Sequence, residues 1–431
     1  MCPSRCRGRA RAMALAIGMA AALPSWPPAA AAAPAGQREH DAAAPDAIVH
    51  SSADGADQAD ALQRALDALQ RGQRLMLAPG RYVVGHALTV KQANVAISGY
   101  GATLIATDPE DQTIELRGDG TTLAGLTLVG AGSTRLTTPA STKVDVTGRG
   151  VQVLDVVVDG GASAGIFVFG GQDVAIVGNE IRATLADGIH VTHGAHNVLV
   201  QGNVVRDTGD DMIAVVSYRN DGAPSGNVLI AGNSLEGNEW GRGVTVVGGA
   251  DVTIADNIVR GVQTGAGILV AQEDSYRTHD TTNVRVTGNA ISDIQQPASR
   301  PARGPLTGQA AIDLNAGSGK VTRVEVTDNR IARARFAGVR MLGNVCGIRM
   351  SGNRLDAIGG APIAGESRGC AAGEVIVGAA NTLDGAALPP SADAASQAAE
   401  AASGGADARL MPHVREWLRQ ARRRGHGRPI E

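Results

Sequence analysis

The chain has 431 residues and a formal net charge of −3, so it lacks the cationic footprint that a nucleic-acid binder needs. Its 57 glycines against only 3 Trp, 4 Tyr and 3 Phe suit many short strands and tight turns. They argue against a fold organised around a large aromatic core.

Residues 1–33 have the layout of a secretory signal peptide. Arg5, Arg7, Arg9 and Arg11 form a basic start, an apolar run follows from Ala12 to Leu23, and Ala-x-Ala sites lie near Ala31–Ala33. The apolar run is too short for a permanent bilayer anchor, and no transmembrane segment is expected. Export to the periplasm or the medium is the expectation; initiation at Met13 would weaken it without removing it. Residues 34–54 read as a linker.

From residue 55 to 385 the pattern is that of an all-β fold, a right-handed parallel β-helix. Asp57 to Leu69 alternates apolar and polar residues at helical spacing and precedes the strand-like Leu75–Tyr82 segment. It is placed to cap the open apolar end that every solenoid has. Weaker coils run from Val95 to Val158. Beyond them an apolar–spacer–Gly/Asp–Asn–spacer–apolar unit recurs, with asparagines at Asn179, Asn203, Asn233, Asn257, Asn289, Asn329 and Asn353. Repeats near this length mark stacked units that share one core. Alternating segments such as Val198–Gln201 exclude a helical solenoid. The asparagines read as corners: Asn tolerates the left-handed backbone of a tight turn, and stacked Asn side chains can hydrogen-bond along the stack. Cys346 and Cys370 lie one coil length apart, so a disulfide between neighbouring coils and two unpaired thiols both fit. Residues 386–408 form an Ala/Ser/Gly linker. Residues 409–431 form a basic amphipathic tail with seven arginines, suited to dock on the solenoid or to contact an anionic surface.

Aligning coils on the asparagines sets a register. The inward pairs are Ile166/Val168, Ile189/Val191, Ile213/Val215, Val244/Val246, Ile268/Val270, Ile312/Leu314 and Val339/Met341. Two residues before each pair stand Ala164, Asp187, Asp211, Arg242, Ala266, Ala310 and Ala337. Charge is therefore concentrated in three consecutive coils, with Asp210 beside Asp211. Stacked coils are about 4.8 Å apart, close enough for like charges to split carboxyl pKa values into an acid and a base. A chance run of turn aspartates is the competing explanation. His190, Asp313 and Arg340 occupy outward positions on the same face. Extra residues at Ser217–Asn227, Ala271–Asn283 and Ile294–Gln309 would wall it, bringing Tyr218, Arg219, Tyr276 and Arg277 to the edges beside Trp240. The aromatic residues suit sugar stacking, and packing within the loops is the alternative for each.

Asp187-Gly-Ile-His-Val191, followed one coil on by Thr208-Gly-Asp210-Asp211, resembles the polygalacturonase family of glycoside hydrolases. The Leu75–Tyr82 segment with its preceding helix is similar to the wider pectate-lyase-like β-helix superfamily. The resemblance implies that Asp210 is the general acid and that Asp187 and Asp211 activate water for inverting hydrolysis. The family's Gly-His-Gly is Gly241-Arg242-Gly243 here, and its later Arg-x-Lys falls on Gly265-Ala-Gly-Ile-Leu. Arg242 could bind a uronate carboxylate but cannot shuttle a proton as His would. Three functions follow as expectations. The first is a glycan hydrolase, and the second a uronate lyase or carbon-5 epimerase using His190 or Tyr218 as base. The third is a non-catalytic glycan-binding protein. In each the chain acts as a monomer on a polysaccharide, without cofactor or metal.

Overall fold

A computed structural model describes residues 44–297, 304–368 and 375–390. The expected signal peptide, most of linker 386–408, the basic tail and Cys370 lie outside them. Cys346 is disulfide-bonded.

The described strands stack into three sheets of 13, 11 and 13 strands, in which each strand pairs with its equivalents in the coils before and after. Pairing is parallel throughout, except for a terminal hairpin between Thr382–Leu383 and Ala386–Ala387. A typical coil runs through Gln172–Val177, then Glu180–Arg182, then Ile189–Thr192, one strand in each sheet. Helix Ala59–Ala68 precedes the first full coil and buries Ala59, Leu62 and Leu66 in the same apolar core.

The expected register holds. Ile166, Ile189, Ile213, Val244, Ile268, Ile312 and Val339 are direct partners up the 11-stranded sheet, and all are buried. The column continues back through Val144, Ile114 and Leu88. A two-residue side-chain period with stacked Ile and Val gives every coil the same inward face, which is what lets one core run through them all.

The asparagine corners differ from expectation in one respect. The left-handed residue is the one before each Asn: Gly178, Gly202, Gly232, Asp256, Gly288, Asp328 and Gly352. That placement frees each Asn side chain to point inward. From Asn179 through Asn381, each backbone N–H and each Nδ2 donate to the Oδ1 of the next Asn, at 2.8–3.1 Å. No asparagine of this ladder is more than 2% exposed. Buried amides need partners, and the ladder supplies them from coil to coil.

Candidate active site on the 11-stranded sheet

The charged residues sit in the turns that lead into the 11-stranded sheet. There the backbone ties successive coils together through their carboxylates. The Asp211 N–H donates to Asp187 Oδ1 at 3.0 Å, and the Arg242 N–H donates to Asp211 Oδ1 at 2.7 Å. The run Asp187–Asp211–Arg242 is thus a stack in which each carboxylate caps the next coil. Asp210 turns to the outside. Its Oδ2 accepts from Arg135 Nη1 at 2.5 Å. Oxygens of Asp187, Asp210 and Asp211 all lie within 4.8 Å of one another, a donor set that could also hold a cation.

Close packing at this point depends on Gly241. Its φ is +80°, and a Cβ there would fall 2.5 Å from Asp210 Oδ1. Only glycine accepts both the backbone angle and the contact.

Burial and like charge act on the trio together. Asp210 is raised above the ordinary carboxylate range, first by burial and then by Asp187, while Arg135 opposes the rise. Asp211 is pushed up to about 8 by burial, with Arg242 opposing and its two carboxylate neighbours reinforcing. Like charges at this spacing cannot all ionise, so the cluster retains a proton near neutral pH.

His190 Nδ1 meets Asp187 Oδ2 at 2.5 Å, and its ring stacks on Phe167 with centroids 4.9 Å apart. Tyr218 lies within electrostatic reach of Asp187, its phenol pushed up to about 12 by burial and then by that carboxylate. Arg242 faces Glu273 at 3.3 Å and Asp211 at 4.0 Å. Its guanidinium is therefore already matched by acids of its own chain. Tyr276 is exposed and within electrostatic reach of Arg135, Tyr218 and Arg242.

The other expected residues have different positions. Arg219 Nε donates to the Thr278 carbonyl, and its N–H to the Arg277 carbonyl, so this arginine and Arg277 join two of the extra segments to each other. Trp240 is partly exposed, with Gly304 of the third extra segment against its ring. Asp313 is fully buried, and its Oδ2 accepts from Arg340 Nε at 2.7 Å. These last two form an ion pair inside the wall, where Asp313 has no surface to offer a ligand.

One of the extra segments the sequence singles out, Ser217–Asn227, walls a cavity through Tyr218 and Asp221, and a further stretch of chain adds to it. This cavity of about 600 Å³ opens beside Asp187 on its N-terminal side. It is lined by Arg135–Pro139, by Phe167 and Phe169, and by Tyr218 and Asp221. Residues 130–143 cross between strands Thr127–Val129 and Val144–Val146, a gap twice as long as that in the following coil. That excess length, together with two of the chain's 3 Phe outward on one strand, was the available signal for this wall.

Residues 164–355 match the family model described as right handed beta helix region. The fold is the right-handed parallel β-helix. The catalytic domain of a GH87 α-1,3-glucanase shares it at 16% identity and a TM-score of 0.59, over 76% of this chain and 68% of that one. A hyperthermoactive exopolygalacturonase from Thermotoga maritima matches at 16% identity and 0.60, over 80% and 94%. The A-module of the mannuronan C-5 epimerase AlgE6 from Azotobacter vinelandii matches at 18% and 0.53, over 78% and 96%. No curated protein matches the sequence. The expected resemblance to pectate-lyase-like proteins, polygalacturonases included, therefore stands at the level of the β-helix itself.

Proposed function

We propose that the chain is an exported glycoside hydrolase whose reaction centre is Asp187, Asp210 and Asp211. The observation that carries this reading is the convergence of three carboxylates from two successive coils at one end of an aromatic-floored cavity. Asp210 is the general acid: it turns outward, and burial keeps its proton available above the ordinary carboxylate range. Asp187 takes the proton from the attacking water, held by the Asp211 N–H and by His190. Asp211 sits beneath both and polarises the same water. Oxygens within 4.8 Å of one another are closer than the roughly 6.5–9.5 Å usual between the carboxyls of inverting enzymes and nearer the roughly 5–5.5 Å of retaining ones, so the anomer released first decides the stereochemistry. Helix Ala59–Ala68 caps the N-terminal end of the core.

A uronate lyase or carbon-5 epimerase would need an unprotonated base and a cation free to neutralise the substrate carboxylate. Tyr218, at about 12, is a poor base near neutral pH, which leaves this reading His190, bonded to Asp187, and Arg242 already faces Asp211 and Glu273. Both points favour hydrolysis. The deciding experiment incubates the purified protein with a panel of neutral and acidic polysaccharides. New reducing ends without ultraviolet absorbance support hydrolysis, an unsaturated product supports the lyase reading, an altered uronate composition by NMR without cleavage supports the epimerase, and an unaltered polymer with retained binding supports a non-catalytic role.

A further inference from the structure

Outward residues on the 11-stranded sheet form a column on the N-terminal side of the carboxylates. In register it reads Glu115, Asp145, Phe167, His190. A second aromatic pair lies beside it: Phe169 stacks on His193 at 3.9 Å and on Phe167 at 6.1 Å, all at small interplanar angles. Phe169 is 41% exposed. Phe167 and Phe169 give an apolar floor to the cavity of about 600 Å³, each with one ring face already covered by a histidine.

Around that floor stand polar atoms without partners. Thr192 is 2% exposed, and its Oγ1 has no hydrogen bond. Thr147 Oγ1 and Asp145 Oδ1 are likewise buried and unmatched. All three residues line the cavity. Unmatched buried polar atoms are expensive unless a ligand or water completes them. An aromatic face ringed by such atoms suits a pyranose, which is apolar on one face and hydroxylated at its rim.

Charge decides which sugar. Asp145, Glu115, Asp187 and Asp221 line the cavity, against a single arginine among the described lining residues. That arginine, Arg135, is bound to Asp210. Nearby Arg117 is bound to Glu115 at 2.6 Å, and Lys143 points away to the Gln112 carbonyl. A uronate carboxylate would find acids and no uncommitted cation here. Hydroxyl or ammonium donors would find acceptors.

We infer that this cavity is a sugar-binding subsite for a residue that carries no carboxylate, stacked on Phe167 and Phe169 and donating hydrogen bonds to Asp145 and its threonine neighbours. The inference rests on the proposed polysaccharide function and narrows its substrate class.

The test is titration calorimetry of the full chain with hexasaccharides: neutral glucans in α-1,3, α-1,4, β-1,3 and β-1,4 linkage, a glucosamine hexamer and a galacturonate hexamer. At least one uncharged or amino-sugar hexamer should bind ten-fold or more tightly than the galacturonate. Preference between those two kinds separates hydroxyl from ammonium as the donor to Asp145. Phe167→Ala should weaken that binding by about ten-fold. The nearly isosteric Thr192→Val, which keeps the packing, should weaken it by a smaller factor. Asp145→Asn should narrow the gap to the uronate. Tightest binding of galacturonate, binding indifferent to Phe167→Ala and Thr192→Val, or no binding of any hexamer would overturn the inference. Reducing ends measured in the same samples keep the two claims apart. Binding without cleavage sinks hydrolysis alone, whereas cleavage with affinity untouched by the floor variants sinks the subsite alone.

Discussion

Asn233 is one rung of the interior ladder, 1% exposed, and its replacement by alanine tests how much the ladder holds. The side-chain Oδ1 accepts from the Asn203 N–H and the Asn203 Nδ2, both at 2.9 Å. Its Nδ2 donates to the Val200 carbonyl at 3.0 Å and to Asn257 Oδ1 at 2.8 Å. Asn257 Oδ1 would still accept from the residue-233 N–H, so its loss is partial. The Asn203 N–H would be left in the core with nothing to bond, and the Asn203 Nδ2 would keep only the Ile176 carbonyl. Each orphaned buried donor costs about 1–3 kcal/mol, and each lost bond between matched groups about 0.5–1.5. Asn233→Ala should therefore destabilise the protein by about 3–6 kcal/mol. Asn197→Gly is the control: that residue has φ +58°, which glycine accepts, and its half-buried side chain bonds Asp173 and Asn227 outside the core, where water can replace it. It should cost about 1 kcal/mol or less. Equilibrium urea denaturation followed by circular dichroism compares the two. Equal losses would refute the ladder as a source of stability.

Arg135→Gln removes the cation that opposes the rise at Asp210, so the alkaline limb of kcat/KM should move to higher pH. Because Arg135 is half exposed and screened, the shift should be no more than about one pH unit. A pH–rate profile unchanged by the substitution would mean that Asp210 is not the acid. Lys143 is buried in the wall and depressed from 10.5 to about 7 by burial. Below pH 7 both folded and unfolded states hold its proton and the folded state bears the full burial penalty. That penalty fades as pH rises from about 7 to 10.5. Lys143→Met should thus raise thermal stability most at pH 7 and below, by ~2–4 kcal/mol, and hardly at all above pH 10.5. A constant gain across that range would contradict the assignment.

The sheet register was legible because each coil repeats a two-residue alternation between an Asn corner and a small residue, and a one-residue slip would expose the whole Ile/Val column. The same register located Asp187, Asp211 and Arg242 in one stack. It could not say what their carboxylates bond to. That depends on turn geometry: Asp187 and Asp211 cap the backbone of the next coil, while Asp210 faces Arg135, 75 residues earlier in the chain. Residues 130–143 lie where the repeat is weak, and no local pattern in them points to a partner three coils away. Asp313 and Arg340 were misleading for the opposite reason. Their outward register is real, but neighbouring chain covers Asp313, whose Oδ2 is taken by Arg340 Nε while its Oδ1 stays buried without a hydrogen bond. The left-handed corner fell to the residue before each Asn because glycine takes that conformation with less strain, leaving the amide free to build the ladder.

The central claim is that Asp210 and Asp211 perform glycosidic hydrolysis. It is tested most directly by assaying Asp210→Asn and Asp211→Asn on whichever glycan the wild-type protein cleaves, with affinity measured in parallel. Each substitution should lower kcat by at least about 10²-fold while leaving oligosaccharide affinity within a few-fold of wild type. Undiminished turnover in both variants would contradict the account.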